Sequence, residues 1–583
     1  MTDSPTPVTD HPAPDEFAGN EKVQADRKLL QDAYADGKPL AAFIKLSGPG
    51  WLQAAITLGG GSLAGALFLG VLGGTSMLWL QLMAITMGVI MLSAISYVTL
   101  STGRRPFEAI NSEINPALGW GWVIATVMAN MIWCMPQFSL CYDAIDKNLA
   151  HLGGTGLGDA KSTKLIVTTL LFFAAGFVVL LNTKQGRAAK AFDIVLKSLV
   201  GMVVICFFGV VILLAIKGQL DFASILSGFI PKLSQWNQVA GDLAPVIGSM
   251  GQMEQSFWAD KLINTQRTVM IAAAATAVGI NMTFLLPYSM LARGWDKPFR
   301  GLARFDLATG MAIPYVLVTS CVVIAAASTM HNKIDASLAS SELATMQQSP
   351  YFESVKPTLL ARVDHELGAQ AESMPEAEKL DRVAALSENE KRLALSLVKR
   401  DAFQLSTTLE PLLGAKLANL VFGLGVFGMG FSTIVILMLI NGYAFRELAG
   451  QPNGTVPFVI GVLVAGLSGA SWLHLWDGQA KFWLAIFASS FGAMLLPIAY
   501  ITFFLMMNSK RILGADKPTG GRMVLWNAMM LFAVIGAIVA AVSAIKSKAD
   551  DPQAFPAIMG LVVVYTIAVI AGFVWKRRSQ SVA

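Results

Sequence analysis

The sequence predicts an all-α membrane protein with about twelve transmembrane helices. Of its 583 residues, 54% are hydrophobic and only 14% are charged, whereas about a quarter of the residues in a soluble protein are charged. The apolar residues form blocks of roughly 20, the length that crosses a hydrocarbon core about 30 Å thick. Because lipid offers the backbone no hydrogen-bond partner, blocks of this kind are expected to be helices.

The blocks, which we call spans 1 to 12, are joined by connections of alternating character. Lys and Arg concentrate between spans 2 and 3, 4 and 5, 6 and 7, and 10 and 11, and after span 12. The positive-inside rule places all of these in the cytoplasm together with both termini, in a plasma (cytoplasmic or inner) membrane. The net charge of +5 is thus dispersed by topology, and no nucleic-acid partner is expected. The predicted spans are 48–72, 76–100, 118–144, 164–182, 191–215, 269–293, 306–330, 413–441, 456–475, 481–507, 523–545 and 556–575.

Two segments lie outside the spans. Residues 1–40 are predicted to form a disordered cytoplasmic tail. Residues 331–410 separate spans 1–7 (41–330) from spans 8–12 (411–583) and are charged, with apolar residues at helical spacing. They are predicted to form an extracytoplasmic helical insert. A solvated cap is the favoured interpretation, and a partner-binding or gating role is the alternative.

Two spans carry helix-breaking residues at corresponding positions. Gly59, Gly60 and Gly61 stand together before Ser62 in the middle of span 1, where each glycine costs a helix about 1 kcal/mol relative to alanine. Pro287 lies in the middle of span 6 and lacks a backbone donor. Spans 1 and 6 open two five-helix units, and matched breaks predict an inverted-repeat transporter with its substrate site at the membrane midplane.

The order of several motifs resembles the Nramp family of divalent-metal transporters. These are the Gly48-Pro49-Gly50 opening before the broken span 1, the Leu286-Pro287-Tyr288 sequence in span 6, and the characters of spans 8 and 10. The resemblance covers roughly 45–330 and 405–545, with the insert outside it. It implies a LeuT-like fold of eleven or twelve helices that works by alternating access. It also implies a substrate site lined by Gly59, Ser62, Thr283, Leu286 and Tyr288.

At these positions the chain departs from the family's pattern. Gly59 replaces the family's metal-binding Asp, Ser62 its Asn, Leu286 its thioether ligand and Tyr288 its histidine, while Thr283 stands where an alanine offers its carbonyl. A Mn²⁺ or Fe²⁺ site prefers a carboxylate with a nitrogen or sulfur ligand. The residues present therefore argue against the family's usual metal site, and the metal ligands cannot be assigned from the sequence.

Few ionisable groups are expected within the membrane, where such groups are often functional. Asp143 and Asp146 near the outer end of span 3 and Asp306 at the inner end of span 7 are candidates for the pathway or for coupling, with interfacial positions as the alternative. Gln137 in span 3 is a polar candidate for the pathway. The four cysteines are interpreted as small apolar residues. No phosphate loop, HExxH sequence or catalytic nucleophile is found, so neither an enzyme nor a cofactor is predicted.

Three functions remain open. The first is a secondary transporter of a divalent metal cation that keeps much of its hydration shell, as Mg²⁺ does. The second is a transporter of an organic or anionic solute such as an amino acid, bound at the Gly-rich break of span 1. The third is a receptor-like relative that transports nothing. A small ion or molecule and the lipid bilayer are the expected partners.

Overall fold

The computed structural model describes residues 21–158, 160–182, 187–400, 402–476, 481–549 and 554–582. Every regular element in these ranges is helical. The α-helices are α1 Glu21–Ala35, α2 Pro39–Leu46, α3 Pro49–Thr57, α4 Gly60–Gly73, α5 Trp79–Thr102, α6 Pro106–Ala109, α7 Pro116–Ala144, α8 Lys161–Asn182, α9 Arg187–Ile216, α10 Phe222–Gly228, α11 Leu243–Gly248, α12 Gln252–Thr276, α13 Ile280–Ala292, α14 Arg300–Leu307, α15 Ile313–Met330, α16 Ala336–Ala339, α17 Leu343–Met346, α18 Phe352–Leu367, α19 Glu376–Ala385, α20 Glu388–Ser396, α21 Ala402–Leu413, α22 Ala415–Leu448, α23 Thr455–Ala470, α24 Trp472–Leu475, α25 Lys481–Asn508, α26 Lys510–Leu513, α27 Gly520–Lys546 and α28 Ala554–Val582.

The membrane-spanning helices follow the predicted order. In the described part of the chain, eleven helical segments are long and apolar enough to cross a membrane. They correspond to predicted spans 1–5 and 7–12, and the shorter apolar helix α13 belongs to span 6. The predicted all-α membrane fold with about twelve spans is confirmed.

Span 1 is broken where the sequence predicts, but span 6 is broken elsewhere. Helix α3 ends at Thr57 and α4 begins at Gly60, whereas α12 ends at Thr276 and α13 begins at Ile280. The predicted break at Pro287 is wrong, because that residue lies inside α13. Pro287 withholds one hydrogen bond from a helix that is buried from its first residue onward, and this packing maintains the helix.

The predicted disordered tail is ordered in its second half. Residues 21–35 form α1, which buries Val23 and Leu30 two helical turns apart on the same face. Arg27 of this helix pairs with Asp296 at 2.6 Å. Two buried apolar residues in so polar a sequence are too few to predict a helix. Residues 1–20 lie outside the described part of the chain.

The basic connections contact one another, and we call this side of the molecule the basic end. Lys297 and Arg300, between spans 6 and 7, both pair with Asp516, between spans 10 and 11. Arg105, between spans 2 and 3, pairs with Glu447 at the end of α22 at 2.9 Å. These contacts join the connections that the charge pattern assigns to one side of the membrane.

The other connections gather around residues 331–410, and we call this side the insert end. The insert consists of helices α16 to α21. Its Arg362 is 1% exposed and binds Glu390 at 2.8 Å within the insert and Glu254 at 3.3 Å on the first turn of α12. The insert is therefore fastened to the start of α12, the helix whose last turns form the outer half of span 6, nearer the insert end.

Candidate functional site

The inner halves of spans 1 and 6 pack together beside their breaks. Gln53 Nε2 on α3 donates to the Met282 carbonyl oxygen of α13 at 3.4 Å. One turn further along α3, Thr57 Oγ1 donates to Met282 Sδ at 3.4 Å. All three residues are buried. The two broken spans thus meet inside the protein, as the midplane hypothesis requires.

A glycine precedes the second half-helix at each break. Gly59 is the N-cap of α4, with φ −90° and ψ −179°, and Gly279 is the N-cap of α13, with φ −81° and ψ 168°. A Cβ on Gly59 would lie 2.8 Å from Thr433 Oγ1, and a Cβ on Gly279 would lie 2.5 Å from the ring of Trp133. Each break is therefore in close contact with a neighbouring span.

Two predicted site residues stabilise the break in span 1. The Gly60 N–H donates to Gln137 Oε1 at 3.1 Å, which places Gln137 beside the break. Ser62 Oγ donates to the Thr57 carbonyl oxygen at 2.5 Å across the break. This hydroxyl satisfies one of the carbonyls that the end of α3 leaves without a donor.

The span 6 candidates are buried and mostly occupied by protein contacts. Thr283 Oγ1 donates to the Ile280 carbonyl at 2.5 Å and accepts from Trp122 Nε1 at 2.9 Å. Pro287 cannot donate to the Thr283 carbonyl, so this oxygen lacks its ordinary helical donor. Leu286 is 1% exposed. At Thr283, the backbone oxygen is therefore freer than the hydroxyl to contact a ligand.

Tyr288 lies toward the basic end of α13. Its ring stacks on Phe284 at a centroid distance of 4.3 Å and faces Tyr443 at 6.3 Å. Its buried hydroxyl lies close to Arg105 and Glu447 of the basic end. The side chain belongs to an aromatic layer that closes the protein between the breaks and the basic end.

The predicted carboxylates all lie away from the breaks. Asp306 accepts hydrogen bonds from the Ser47 hydroxyl, from Gly48 N–H at 3.1 Å and from Gly50 N–H at 2.6 Å. It therefore neutralises the positive end of α3, roughly 13 Å along the helix from the break. Its role is to anchor span 1, and a coupling role through this carboxylate has no support from its contacts.

Asp143 and Asp146 lie at the insert end. Asp143 is buried at 7% exposure, with Lys147 Nζ 3.9 Å from its Oδ2. Asp146 Oδ1 accepts from Gly158 N–H at 2.9 Å in the loop after span 3. Both positions suit interfacial structure, which was the alternative interpretation.

Several buried amides near the breaks were not among the residues predicted from the sequence. Gln53 and Asn281 are fully buried, and Gln53 Oε1 and Asn281 Nδ2 have no hydrogen-bond partner among the described residues. On the inner side, Asn130 Nδ2 donates to Asn441 Oδ1 at 2.8 Å between spans 3 and 8. An isolated amide in an apolar span was the available signal, because such groups are costly to bury without a purpose.

The centre offers neutral oxygen atoms and no cluster of metal-binding side chains. Among the described residues, no group of three or more His, Cys, Asp or Glu could hold a metal ion. Glu447, which the sequence analysis also missed, is buried at the basic end and paired with Arg105. A cation at the breaks would therefore meet amide, hydroxyl and carbonyl oxygens.

One face of α4 is open. Gly61, Ala64 and Gly65 are exposed, and a Cβ on either glycine would meet nothing within 4 Å. Phe68 follows one turn later on the same side of α4 but is buried at 6% exposure, with Lys399 Nζ of the insert end 5.8 Å from its ring centroid. Lys399 is itself exposed, although the surrounding protein lowers its pKa by desolvation. The open face of α4 thus lies between the span 1 break and the buried Phe68, with a lysine beside that ring.

A comparison with protein families gives one match over most of the chain. The family described as Natural resistance-associated macrophage protein-like matches residues 50–361 and 385–544. The match is interrupted only over residues 362–384 of the insert. The expectation that all of 331–410 falls outside the resemblance is therefore wrong. No curated protein sequence matches this chain.

Solved structures give the same architecture at low identity. A manganese transporter of Eremococcus coleocola, solved as a point mutant, covers 92% of this chain and 94% of its own, at 13% identity and a TM-score of 0.60. The same transporter in complex with an aromatic bis-isothiourea substituted compound gives the same coverage at 14% identity and a TM-score of 0.59. These similarities support the predicted fold class, LeuT-like with spans 1 and 6 broken.

Proposed function

This chain belongs to the Nramp family of membrane transporters, and we propose that it moves a divalent metal cation that keeps much of its hydration shell, as Mg²⁺ does, by alternating access. The observation that carries the proposal is that the breaks of spans 1 and 6 meet at neutral oxygen atoms. Mg²⁺ loses water reluctantly and is often held through its waters. Amide and carbonyl oxygens accept hydrogen bonds from those waters without requiring a carboxylate at the centre.

We propose that the predicted lining residues form this site together with the amides that lie beside them. Gly59, which has no side chain, lets the backbone come close to the hydrated ion. Gln53 Oε1 is a buried acceptor that has no hydrogen-bond partner among the described residues. The Thr283 carbonyl and Gln137 complete the polar lining, whereas Leu286 bounds it. Ser62 maintains the break, and Tyr288 closes the path below the site.

Alternating access is supported by the unequal closure of the two ends. Toward the basic end, Asp306 holds the start of span 1, Arg293 pairs with Asp193 at 2.8 Å, and Arg105 pairs with Glu447. On the opposite side of the breaks, α4 presents its open face. We infer an arrangement closed toward the cytoplasm, in which transport requires the ion pairs of the basic end to separate.

The hydration part of the proposal is tested with hexaamminecobalt(III). This complex resembles a hydrated Mg²⁺ ion but cannot release its ammine ligands. If the site accepts a hydrated ion, the complex competes with Mg²⁺ uptake in proteoliposomes, and the Gln53→Leu variant, whose KM for Mg²⁺ is raised, also needs more of the complex for the same inhibition. If a large excess of the complex left Mg²⁺ or Mn²⁺ uptake unchanged, the ion would bind with its hydration shell removed.

A second candidate function is transport of an anionic or organic solute, which one specific arrangement favours. Lys399 makes no ion pair with a described residue and lies beside the ring of Phe68, one turn beyond the open face of α4. At the other end of that face, the N–H groups of Gly61 and Ser62 have no described acceptor. Both features attract a carboxylate more readily than a cation.

The Lys399→Glu substitution separates the two candidates. Reversing a charge beside the path raises the local concentration of cations and lowers that of anions, an effect that salt screens. Cation transport predicts faster uptake at low ionic strength, with Lys416→Glu as a control for an exposed lysine at the start of α22. Slower uptake, together with binding of an amino acid or organic acid to the wild type, would favour the second function.

A further inference from the structure

A basic crevice lies between the ends of α25, α26 and α28, at the basic end of the molecule. Its volume is about 360 Å³. Three cations line it, namely Arg511 from α26 and Lys576 and Arg577 from the last turns of α28. None of the three forms an ion pair with a residue that the structure describes. The crevice therefore carries an uncompensated positive charge.

The one acidic residue that lines the crevice already has a partner. Glu113 Oε1 lies 3.6 Å from Arg104 Nη1, in the connection between spans 2 and 3. The neutral polar lining includes Asn508, whose amide exchanges hydrogen bonds with Asn527 of α27 at 2.9 and 3.1 Å. The charge available to a ligand in the crevice is thus that of the three cations.

The rest of the crevice wall is apolar. Ile114, Leu505 and Phe573 line it beside the cations. A second crevice of about 400 Å³ lies along α28; its lining is mostly apolar and consists of Ile567, Ile570, Ala571, Val574, Trp575 and Arg578. Cations near the end of α28 thus lie within one or two helical turns of aliphatic side chains of the same helix. This is the profile of a phospholipid, with an anionic headgroup above acyl chains.

Helix α28 contacts the rest of the described protein mainly along the side that faces α7, which leaves the remainder of its surface available to lipid. None of the hydropathy window of span 12 is buried. Its contacts with α7 include Asn115 Nδ2 donating to the Val569 carbonyl at 2.8 Å, and Tyr565 lying against Gly121. Most of the large apolar side chains of α28 are exposed, among them Val564, Ile567 and Ile570.

We propose that this crevice binds an anionic glycerophospholipid of the cytoplasmic leaflet, and that the lipid fastens span 12 to span 10. The headgroup phosphate contacts Arg511, Lys576 and Arg577, and the acyl chains lie against Phe573 and the apolar side of α28. The site is separate from the breaks of spans 1 and 6 and does not depend on which solute the protein transports.

The test compares two triple variants of the full-length protein purified in detergent. Arg511→Gln/Lys576→Gln/Arg577→Gln removes the crevice cations. Lys510→Gln/Lys517→Gln/Arg522→Gln removes three neighbouring cations that do not line the crevice. Binding of phosphatidylglycerol, phosphatidylcholine and inorganic phosphate is measured by native mass spectrometry and by the shift in unfolding temperature. Size-exclusion profiles confirm that each variant is folded, and Lys576→Gln alone serves as a milder change.

We expect phosphatidylglycerol to bind the wild type and the control triple variant at least roughly 10-fold more tightly than the crevice variant, because each cation near an anionic lipid contributes measurably. The single variant is expected to fall between them. Phosphatidylcholine should bind all four proteins equally and weakly. Equal binding of phosphatidylglycerol by the wild type and both triple variants would overturn the site, as would an equal loss in the control triple variant. Binding of inorganic phosphate as strong as that of the lipid would replace the lipid with a free anion.

Discussion

Gly59 and Gly279 occupy equivalent positions in the two halves of the fold. Each is the extended residue immediately before the second half-helix of a broken span, and each lies against a side chain that occupies the place of a Cβ. Thr433 fills that place at Gly59, and Trp133 fills it at Gly279. The positions of the breaks therefore depend on packing against the neighbouring spans 8 and 3 as well as on the glycines themselves.

The first prediction concerns these two glycines. Gly59→Ala and Gly279→Ala should each destabilise the protein by about 1–3 kcal/mol, because the added methyl group must displace a packed side chain. Gly61→Ala is the control, because its Cβ would meet nothing within 4 Å. Thermal unfolding in detergent and uptake in proteoliposomes are the measurements. Gly59→Ala behaving like Gly61→Ala would contradict this packing.

The second prediction concerns the buried amide of Gln53. Gln53→Leu should raise the KM for cation uptake by roughly 10-fold or more, because a hydrogen bond to a charged ligand is worth about 1.5–3 kcal/mol. Gln81→Leu is the matched control: Gln81 is also buried, but it accepts from the Tyr315 hydroxyl at 2.9 Å outside the site. It should lower stability and leave KM unchanged. An unchanged KM in Gln53→Leu would remove this residue from the site.

The third prediction concerns the anchor of span 1. Asp306→Asn should lower the free energy of unfolding by about 1–3 kcal/mol, because the amide group cannot accept from all the donors at the start of α3. Asp221 accepts from Ala223 and Ser224 N–H at the start of α10, but it is exposed. Asp221→Asn should therefore leave stability unchanged. The measurement is unfolding by denaturant. Equal effects of the two substitutions would contradict the anchoring role of Asp306.

The fourth prediction concerns the closure of the basic end. Arg293→Gln or Asp193→Asn should accelerate amide hydrogen exchange around residues 47–52, because Arg293 pairs with Asp193 and lies against Gly48. The charge swap Asp193→Arg/Arg293→Asp should restore part of the protection. Exchange that is unchanged in both single variants would exclude this pair from the closure.

The fifth prediction concerns pH and His331, just beyond the end of α15. Burial lowers its pKa; Nδ1 contacts the Val71 carbonyl at 2.9 Å, and Nε2 is buried without a described partner. Because the folded pKa lies below the unfolded value of about 6.5, the unfolded state binds more protons, and stability should fall as pH drops through that value. His331→Gln should flatten the decline in unfolding temperature between pH 7 and 5. His151→Gln, at an exposed position, should retain it.

Local patterns predicted the parts of the fold that depend on local chemistry. The length of the apolar blocks predicted the spans, and the three consecutive glycines from Gly59 to Gly61 predicted the break in span 1. The second break was predicted at the wrong residue because a proline in the middle of a span usually indicates a break, yet Pro287 removes only one hydrogen bond from its helix. A single glycine such as Gly279 indicates a break only weakly. The helix breaks there because Trp133, a residue of another span, packs against Gly279. Helix α1 was missed because its stability depends on contacts such as that between Arg27 and Asp296.

The residues of the candidate site could be proposed from the sequence, but the contacts that each side chain makes could not. Ser62 and Thr283 were predicted to line the substrate site, yet the hydroxyls of both donate to nearby backbone carbonyls. Asp306 suggested coupling, and only its contacts with residues more than 250 positions away identify it as a helix anchor. The importance of Gln53 rests on an acceptor without a donor, which no local sequence pattern encodes.

Uptake into proteoliposomes shows whether the protein carries a hydrated divalent cation. Mg²⁺, Mn²⁺ and Ca²⁺ are offered in turn to vesicles that contain an ion-sensitive dye, with protein-free vesicles and Gln53→Leu as controls. We expect saturable Mg²⁺ uptake by the wild type, which hexaamminecobalt(III) inhibits and the Gln53→Leu substitution weakens. Absence of flux for every metal with a folded protein, together with saturable binding of an amino acid or organic acid, would contradict it.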